Sequence, residues 1–192
     1  LTREDAIKEV VATLKGDCIT VSTTGHISRE LYEMRKDSSQ FPANDFLTVG
    51  SMGHSSQIAL GMCLGKPNTK VVCLDGDGAA IMHMGGLASI GAAAPQNFIH
   101  ILFNNGVHDS VGGQPTVGLE ISFTGIAKAC GYRNVVGPID SVGAIKPALD
   151  GILNKEGPTF IELRVVPGSR SDLGRPLETP LENKLALIDN LV

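Results

Sequence analysis

The chain has 192 residues, 42% of them hydrophobic and 19% charged, with a formal net charge of -4. That length sustains one substantial core, and the acidic balance leaves no basic stripe to neutralise phosphates, which excludes a nucleic-acid binder. Apolar stretches are interrupted by Gly, Asp or His short of a bilayer span, so no membrane segment is expected, nor is a signal peptide.

In chain order, helical and strand-like patterns alternate. "TREDAIKEVVATLK" (2–15) sets Thr2 as an N-cap with Asp5 three positions on, ahead of apolar residues at helical spacing. "CITVS" (18–22) is a short strand, "ISRELYEMRK" (27–36) a helix, "DFLTVG" (45–50) a strand and "SSQIALGMCLG" (55–65) a helix. "KVVCLD" (70–75) and "FIHILF" (98–103) are strands on either side of a helix over 81–94. A helix follows at 123–131, a strand near Val135, a helix at 141–153 and a strand at 159–166. A polar Pro/Gly loop spans 167–180, and "LENKLALIDNLV" closes as a helix. Apolar strands between amphipathic helices predict a three-layer αβα domain around a mainly parallel sheet of about six strands. One such domain is expected to fill 1–192. The chain opens at Leu1 rather than Met, as expected of a processed chain or a piece of a longer one. The four cysteines, Cys18, Cys63, Cys73 and Cys130, show no C-x-x-C spacing and read as reduced core residues of a cytoplasmic protein.

In a parallel sheet, ligands bind beyond the carboxyl ends of the strands, where Thr24, Gly50, Asp77 and Asn105 all fall. "GDG" (76–78) and "NNG" (104–106) each follow a central strand, and Asp77 precedes Asn105 by 28 positions, one βα unit and the next strand. Adjacent strands would set a carboxylate, an amide oxygen and a loop carbonyl side by side. Such an all-oxygen set suits Mg²⁺, and the loop glycines leave backbone N–H groups open to a phosphate.

This pairing resembles the diphosphate-binding motif of the thiamine diphosphate enzymes. "GSMGHSSQIALGMCLG" (50–65) resembles the preceding segment in their decarboxylase and acetolactate synthase group, and "STTGHISRE" (22–30) their early diphosphate-contacting turn. Within the group, "GDGAAIMHMGGLASIG", "GGQPT" and "SRSDLGRP" look most like the phosphonopyruvate decarboxylases, with the β subunit of sulfopyruvate decarboxylase next. The resemblance implies thiamine diphosphate and Mg²⁺ as cofactors, and decarboxylation of a small anionic 2-oxoacid, 3-phosphonopyruvate, to phosphonoacetaldehyde and CO₂. It assigns Mg²⁺ to Asp77, Asn105 and the Val107 carbonyl, with Asn104 orienting the loop. The diphosphate falls to Gly76, Gly78, Ala79 and the turn Thr24–Gly25–His26. Many relatives have Ser where Ala79 stands, which removes one hydroxyl contact. Met52 would support the bent cofactor, and the Gly50 carbonyl would accept a hydrogen bond from its amino group. The family's activating glutamate belongs to a pyrimidine-binding domain for which this chain has no room. A partner domain or subunit in a homo- or hetero-oligomer is therefore expected to complete the site.

Plainer readings stand beside these. Asp77 would serve as a helix cap, Asn104–Asn105–Gly106 as a turn, and Met52 as core filling. His26, His54, His83 and His108 read equally as structural residues, and His100 as a satisfied core histidine. Arg170 and Arg175 belong either to a solvated tail or to contacts with an anionic substrate or the next subunit. A nucleotide-binding module without thiamine chemistry is the alternative of another class, though no G-x-G-x-x-G follows the first strand.

Overall fold

Strands as apolar as 71–74 and 98–103 must be covered on both faces. In the computed structural model, which describes residues 1–14, 18–36 and 44–191, they are. The elements are α1 (Arg3–Leu14), β1 (Ile19–Ser22), α2 (His26–Arg35), β2 (Asp45–Leu47), α3 (Ser55–Gly65), β3 (Val71–Gly76), α4 (Asp77–Met82) and α5 (Gly85–Ala93). There follow β4 (Phe98–Asn104), β5 (Val107–His108), β6 (Gln114–Pro115), α6 (Phe123–Ala129), β7 (Asn134–Ile139), α7 (Val142–Asp150), β8 (Thr159–Arg164) and α8 (Pro180–Leu191). Lys15 and Val192, expected to end the first and last helices, lie outside the described residues.

Six parallel strands form the central sheet in the order β2-β1-β3-β4-β8-β7. The period-2 pleat sends alternate side chains to opposite layers. Val72 and Leu74 pack under α1, α2 and α7 with Ile7, Leu31 and Leu149. Val71 and Cys73 pack on the other face against Ala59 of α3, Ile90 of α5 and Phe123 of α6. The three-layer architecture is thus as expected. The chain runs from β1 outward to β2 and then back across to β3, so the strand order reverses between β1 and β3. A crevice opens at such a switch point, beyond the carboxyl ends of the two strands.

Thr2 caps α1 as its spacing predicts, accepting from the Asp5 N–H at 3.1 Å and donating to the Asp5 carboxylate at 2.6 Å. The expected helix over 81–94 is instead two, α4 and α5, parted at His83–Met84. Tertiary contact sets the break: Gln57 of α3 donates to the Gly86 carbonyl at 3.1 Å, and its amide fills the space where a Cβ at position 86 would stand. The helix expected over 141–153 stops at Asp150, and the strand expected over 45–50 stops at Leu47. The two-stranded ribbon β5–β6 lies in what read as loop. Edge strand β2 is covered by α8, whose buried Asn183 accepts from the Leu47 N–H at 2.9 Å and donates to the Asp45 carbonyl at 2.8 Å. None of the four cysteines forms a disulfide; three are buried, and Cys130 is only half-buried rather than in the core as expected. Among the described residues, no helix is long and apolar enough to cross a membrane.

Candidate cofactor site

Four segments converge on the switch point. The turn after β1 carries Thr23–His26, the loop after β2 carries Gly50–Gly53, the start of α4 carries Asp77–Ala79, and the loop after β4 carries Asn105–Ser110. Of the residues singled out in the sequence, Thr24, His26, Met52, Gly76, Asp77, Gly78, Ala79, Asn105 and Val107 line one small cleft. Gly25 and Gly50 line a larger, open cleft that shares Thr24, Met52, His108 and Ser110 with the first. The two loops of that rim are tied together by the Gly50 N–H, which donates to the Thr24 hydroxyl at 3.1 Å.

Asp77 is 2% exposed, and among the described residues no Lys, Arg or His forms an ion pair with it. Its carboxylate accepts from the Thr116 hydroxyl on one oxygen and from the Asn105 N–H at 3.4 Å on the other. Burial raises its pKa, and these hydrogen bonds oppose the rise. A buried carboxylate without a counter-cation is costly. Beside it stand the Asn105 amide oxygen, which accepts from the Val107 N–H at 3.1 Å, and the backbone of Val107. Carboxylate, amide and carbonyl oxygens in a cleft are the donor set of a hard divalent cation, so the residues fit Mg²⁺. Asn104 is fully buried and donates to the Gly118 carbonyl at 2.7 Å and to Glu162 at 2.9 Å, which fixes the loop as expected of it.

Close backbone approach explains two glycines. Gly25 has φ of 103°, and a Cβ there would lie 2.7 Å from Ser110 Oγ. A Cβ on Gly118 would sit 2.5 Å from an Asp77 carboxylate oxygen and 2.8 Å from Asn104 Oδ1.

The sequence reading missed the clamp behind the cleft. Arg3 of α1 bridges Glu30 of α2, at 2.9 Å through both Nε and Nη2, to Asp109 at 2.9 Å. Asp109 also accepts from the Gly168 N–H at 2.9 Å and lies 3.7 Å from His26 Nδ1. Burial works against the Asp109 carboxylate, but Arg3 and the Gly168 N–H hold its pKa below the usual value. Burial, and then the Arg3 charge, lower that of His26. Nothing local announces an Arg–Asp pair 106 residues apart. Thr116 stood inside the quoted "GGQPT" without a role.

The remaining histidines sort by environment. His100 is the satisfied core histidine expected, within 3.2 Å of Asp75 Oδ2 and 3.1 Å of the Tyr132 hydroxyl. His54 and His83 stack edge to face at 4.1 Å on the surface, whereas His108 lines both clefts. Arg170 is no solvated tail residue: it pairs with Glu4 at 3.1 Å, Glu33 at 2.9 Å and Asp172 at 3.0 Å.

A parallel αβα sheet with a cation-ready carboxylate at its switch point defines a cofactor-binding domain, and residues 21–163 match the family "Thiamine pyrophosphate enzyme, C-terminal TPP binding domain". The chain belongs to that family. It is 43% identical, over 94% of its length, to phosphonopyruvate decarboxylase of Streptomyces viridochromogenes, and spans 44% of that protein. It is 34% identical, over 88% of its length, to sulfopyruvate decarboxylase subunit beta of Methanothermobacter thermautotrophicus, of which it spans 84%. The fold matches that of a Mycobacterium smegmatis protein assigned to the thiamin diphosphate-dependent enzymes, with a TM-score of 0.71 over 87% of this chain and 32% of that one at 20% identity. The chain thus spans less than half the length of the phosphonopyruvate decarboxylases it matches.

Proposed function

We propose that this chain is the diphosphate-holding half of a thiamine diphosphate- and Mg²⁺-dependent 2-oxoacid decarboxylase that converts 3-phosphonopyruvate to phosphonoacetaldehyde and CO₂. The observation that carries the reading is the buried Asp77 carboxylate, paired with no Lys, Arg or His among the described residues, beside Asn105 and Val107 at the switch point. Asp77, Asn105 and the Val107 carbonyl hold Mg²⁺. The N–H groups of Gly78 and Ala79 and the turn Thr24–Gly25–His26 meet the diphosphate, to which Gly76 brings the backbone close. Met52, which lines both clefts, would pack against the cofactor, and the Gly50 carbonyl would accept a hydrogen bond from its amino group. Thiamine diphosphate, when bound, supplies the carbon nucleophile for the oxo carbon and takes up the electron pair released with CO₂. The protein's part is to orient the cofactor and keep water from it.

The activating glutamate comes from a pyrimidine-binding domain or subunit outside 1–192, in a homo- or hetero-oligomer. Exposed apolar side chains around the clefts support such a cover: Val49 and Val111 are 65% and 59% exposed. The unbridged cysteines are consistent with the reducing cytoplasm.

The sulfopyruvate decarboxylase β subunit is the second reading, favoured by size, since the chain spans 84% of one such subunit. Higher identity, 43% against 34%, favours phosphonopyruvate. Release of CO₂ from the two acids, measured on the chain assembled with its pyrimidine-binding half, decides. Faster turnover of phosphonopyruvate is expected. Preference for sulfopyruvate transfers the chain to the second reading, and Mg²⁺-dependent nucleotide binding without decarboxylation would make it a nucleotide-binding module.

A further inference from the structure

The tail loop over 167–180 is fastened to α2 at two points. Arg170 is held by Glu4, Glu33 and Asp172. Arg29 donates to the Gly174 carbonyl at 2.6 Å and to the Leu173 carbonyl, and Leu173 is buried. Arg175 follows directly and lines the open cleft at whose inner end Met52 and Thr24 join the cofactor cleft. Among the described residues, Arg175 makes no hydrogen bond or ion pair, although Arg170, five positions earlier, is met by three carboxylates, Glu4 from α1, Glu33 from α2 and Asp172 from the loop itself.

The Arg29 partners are neutral carbonyls, so its charge is not cancelled. Two arginines, Arg29 and Arg175, thus line a cleft whose lining carries one carboxylate, Glu178, in a chain of net charge -4. Neutral donors on the same lining are Ser110 and Gln114. A guanidinium fork with hydroxyl and amide donors around it matches a tetrahedral oxyanion with three terminal oxygens.

We propose that Arg175 is the substrate-specificity residue of this site: its guanidinium binds the phosphonate or sulfonate group of the 2-oxoacid, with Arg29 as the positioning residue that holds residues 173 and 174 in place. This rests on the decarboxylase reading. It also explains why the loop is fastened to α2 twice just ahead of Arg175. Ordering before binding reduces the entropy lost when the anion arrives.

The test uses the assembled enzyme with Arg175→Gln and Arg175→Lys. The Gln variant is expected to lower kcat/KM for phosphonopyruvate by roughly 10- to 100-fold, the scale of a charge-assisted contact, chiefly through KM. Its kcat/KM ratio for phosphonopyruvate over pyruvate, which lacks the second anion, falls with it, and the Lys variant recovers part of the loss. Sedimentation and the thermal shift given by thiamine diphosphate with Mg²⁺ stay as in the parent. An unchanged ratio, an altered oligomer or a lost cofactor shift would each overturn the assignment. Calorimetric binding of 3-phosphonopropionate, which cannot be decarboxylated, separates the two readings. If the parent consumes no 2-oxoacid but binds this probe through Arg175, the reaction is wrong and the anion site stands. If binding is absent, or equal in the Gln variant, the anion site falls.

Discussion

Replacing Asp77 by Asn should move stability and cofactor retention in opposite directions. The carboxylate is 2% exposed, has no cation beside it among the described residues, and is raised in pKa by burial. Its hydrogen bonds from Thr116 and the Asn105 N–H soften the cost of the charge without removing it. Asn keeps the shape and one accepting oxygen for Asn105, and its new N–H₂ can donate to the Thr116 hydroxyl. The variant should therefore gain about 1 kcal/mol in metal-free buffer, a scale common when a destabilised functional group is relieved. For a domain of this length that is an increase of about 2–4 °C in Tm. The same change removes the anionic ligand for Mg²⁺. Retention of thiamine diphosphate by the assembled enzyme should fall by at least roughly 100-fold. Urea or thermal unfolding of the chain in EDTA at pH 8 reads the first effect, and gel filtration with the cofactor reads the second. A variant destabilised by about 1–2 kcal/mol, as when a helix cap is lost, that still retains the cofactor would show Asp77 to be a structural cap and refute the reasoning.

Thr116→Val removes the hydroxyl that donates to Asp77. Metal affinity should drop about 10-fold or more, as for other groups that orient a ligand, measured by Mg²⁺ titration of cofactor retention. Gly118→Ala pushes a Cβ within 2.5 Å of the Asp77 carboxylate. It should cost about 1–3 kcal/mol in urea unfolding and weaken retention as well; a silent substitution would contradict the packing described. Asp45, buried on β2 with Arg35 at 3.2 Å, is pushed up by burial from 3.8 to about 6, with the Arg35 charge opposing the rise. The folded chain thus binds the proton more tightly than the unfolded chain. Its contribution is fully present below about pH 4 and is lost as pH rises through about 6. Urea unfolding across pH 4–7 should show that downward component, and Asp45→Asn should remove it whatever offset comes from stranding Arg35.

The sheet and its order of elements were legible because the strands are continuously apolar and helices such as α2 and α7 carry the 3.6-residue period. Asp77 and Asn105 were legible for a related reason. Each is a polar residue at the end of an apolar strand, and their spacing equals one βα unit and a strand, so parallel pairing alone brings them together. What stayed hidden depends on contacts that no local pattern encodes. The break between α4 and α5 answers to Gln57, 29 residues from Gly86. The Arg3–Glu30–Asp109 clamp joins residues far apart in sequence that meet only when α1, α2 and the loop after β4 are folded together. Arg170 and Arg175 are indistinguishable in sequence. The carboxylates that surround one and leave the other facing the cleft lie mostly on α1 and α2.

The central claim is that the cleft at the β1/β3 switch point holds a diphosphate through a divalent cation. Equilibrium dialysis of the assembled enzyme against thiamine diphosphate and against thiamine, each with Mg²⁺ or with EDTA, tests it most directly. The account predicts retention of the diphosphate with Mg²⁺ alone, and no comparable retention of thiamine in either buffer. Equal retention of both compounds, or retention of the diphosphate undiminished by EDTA, would contradict it.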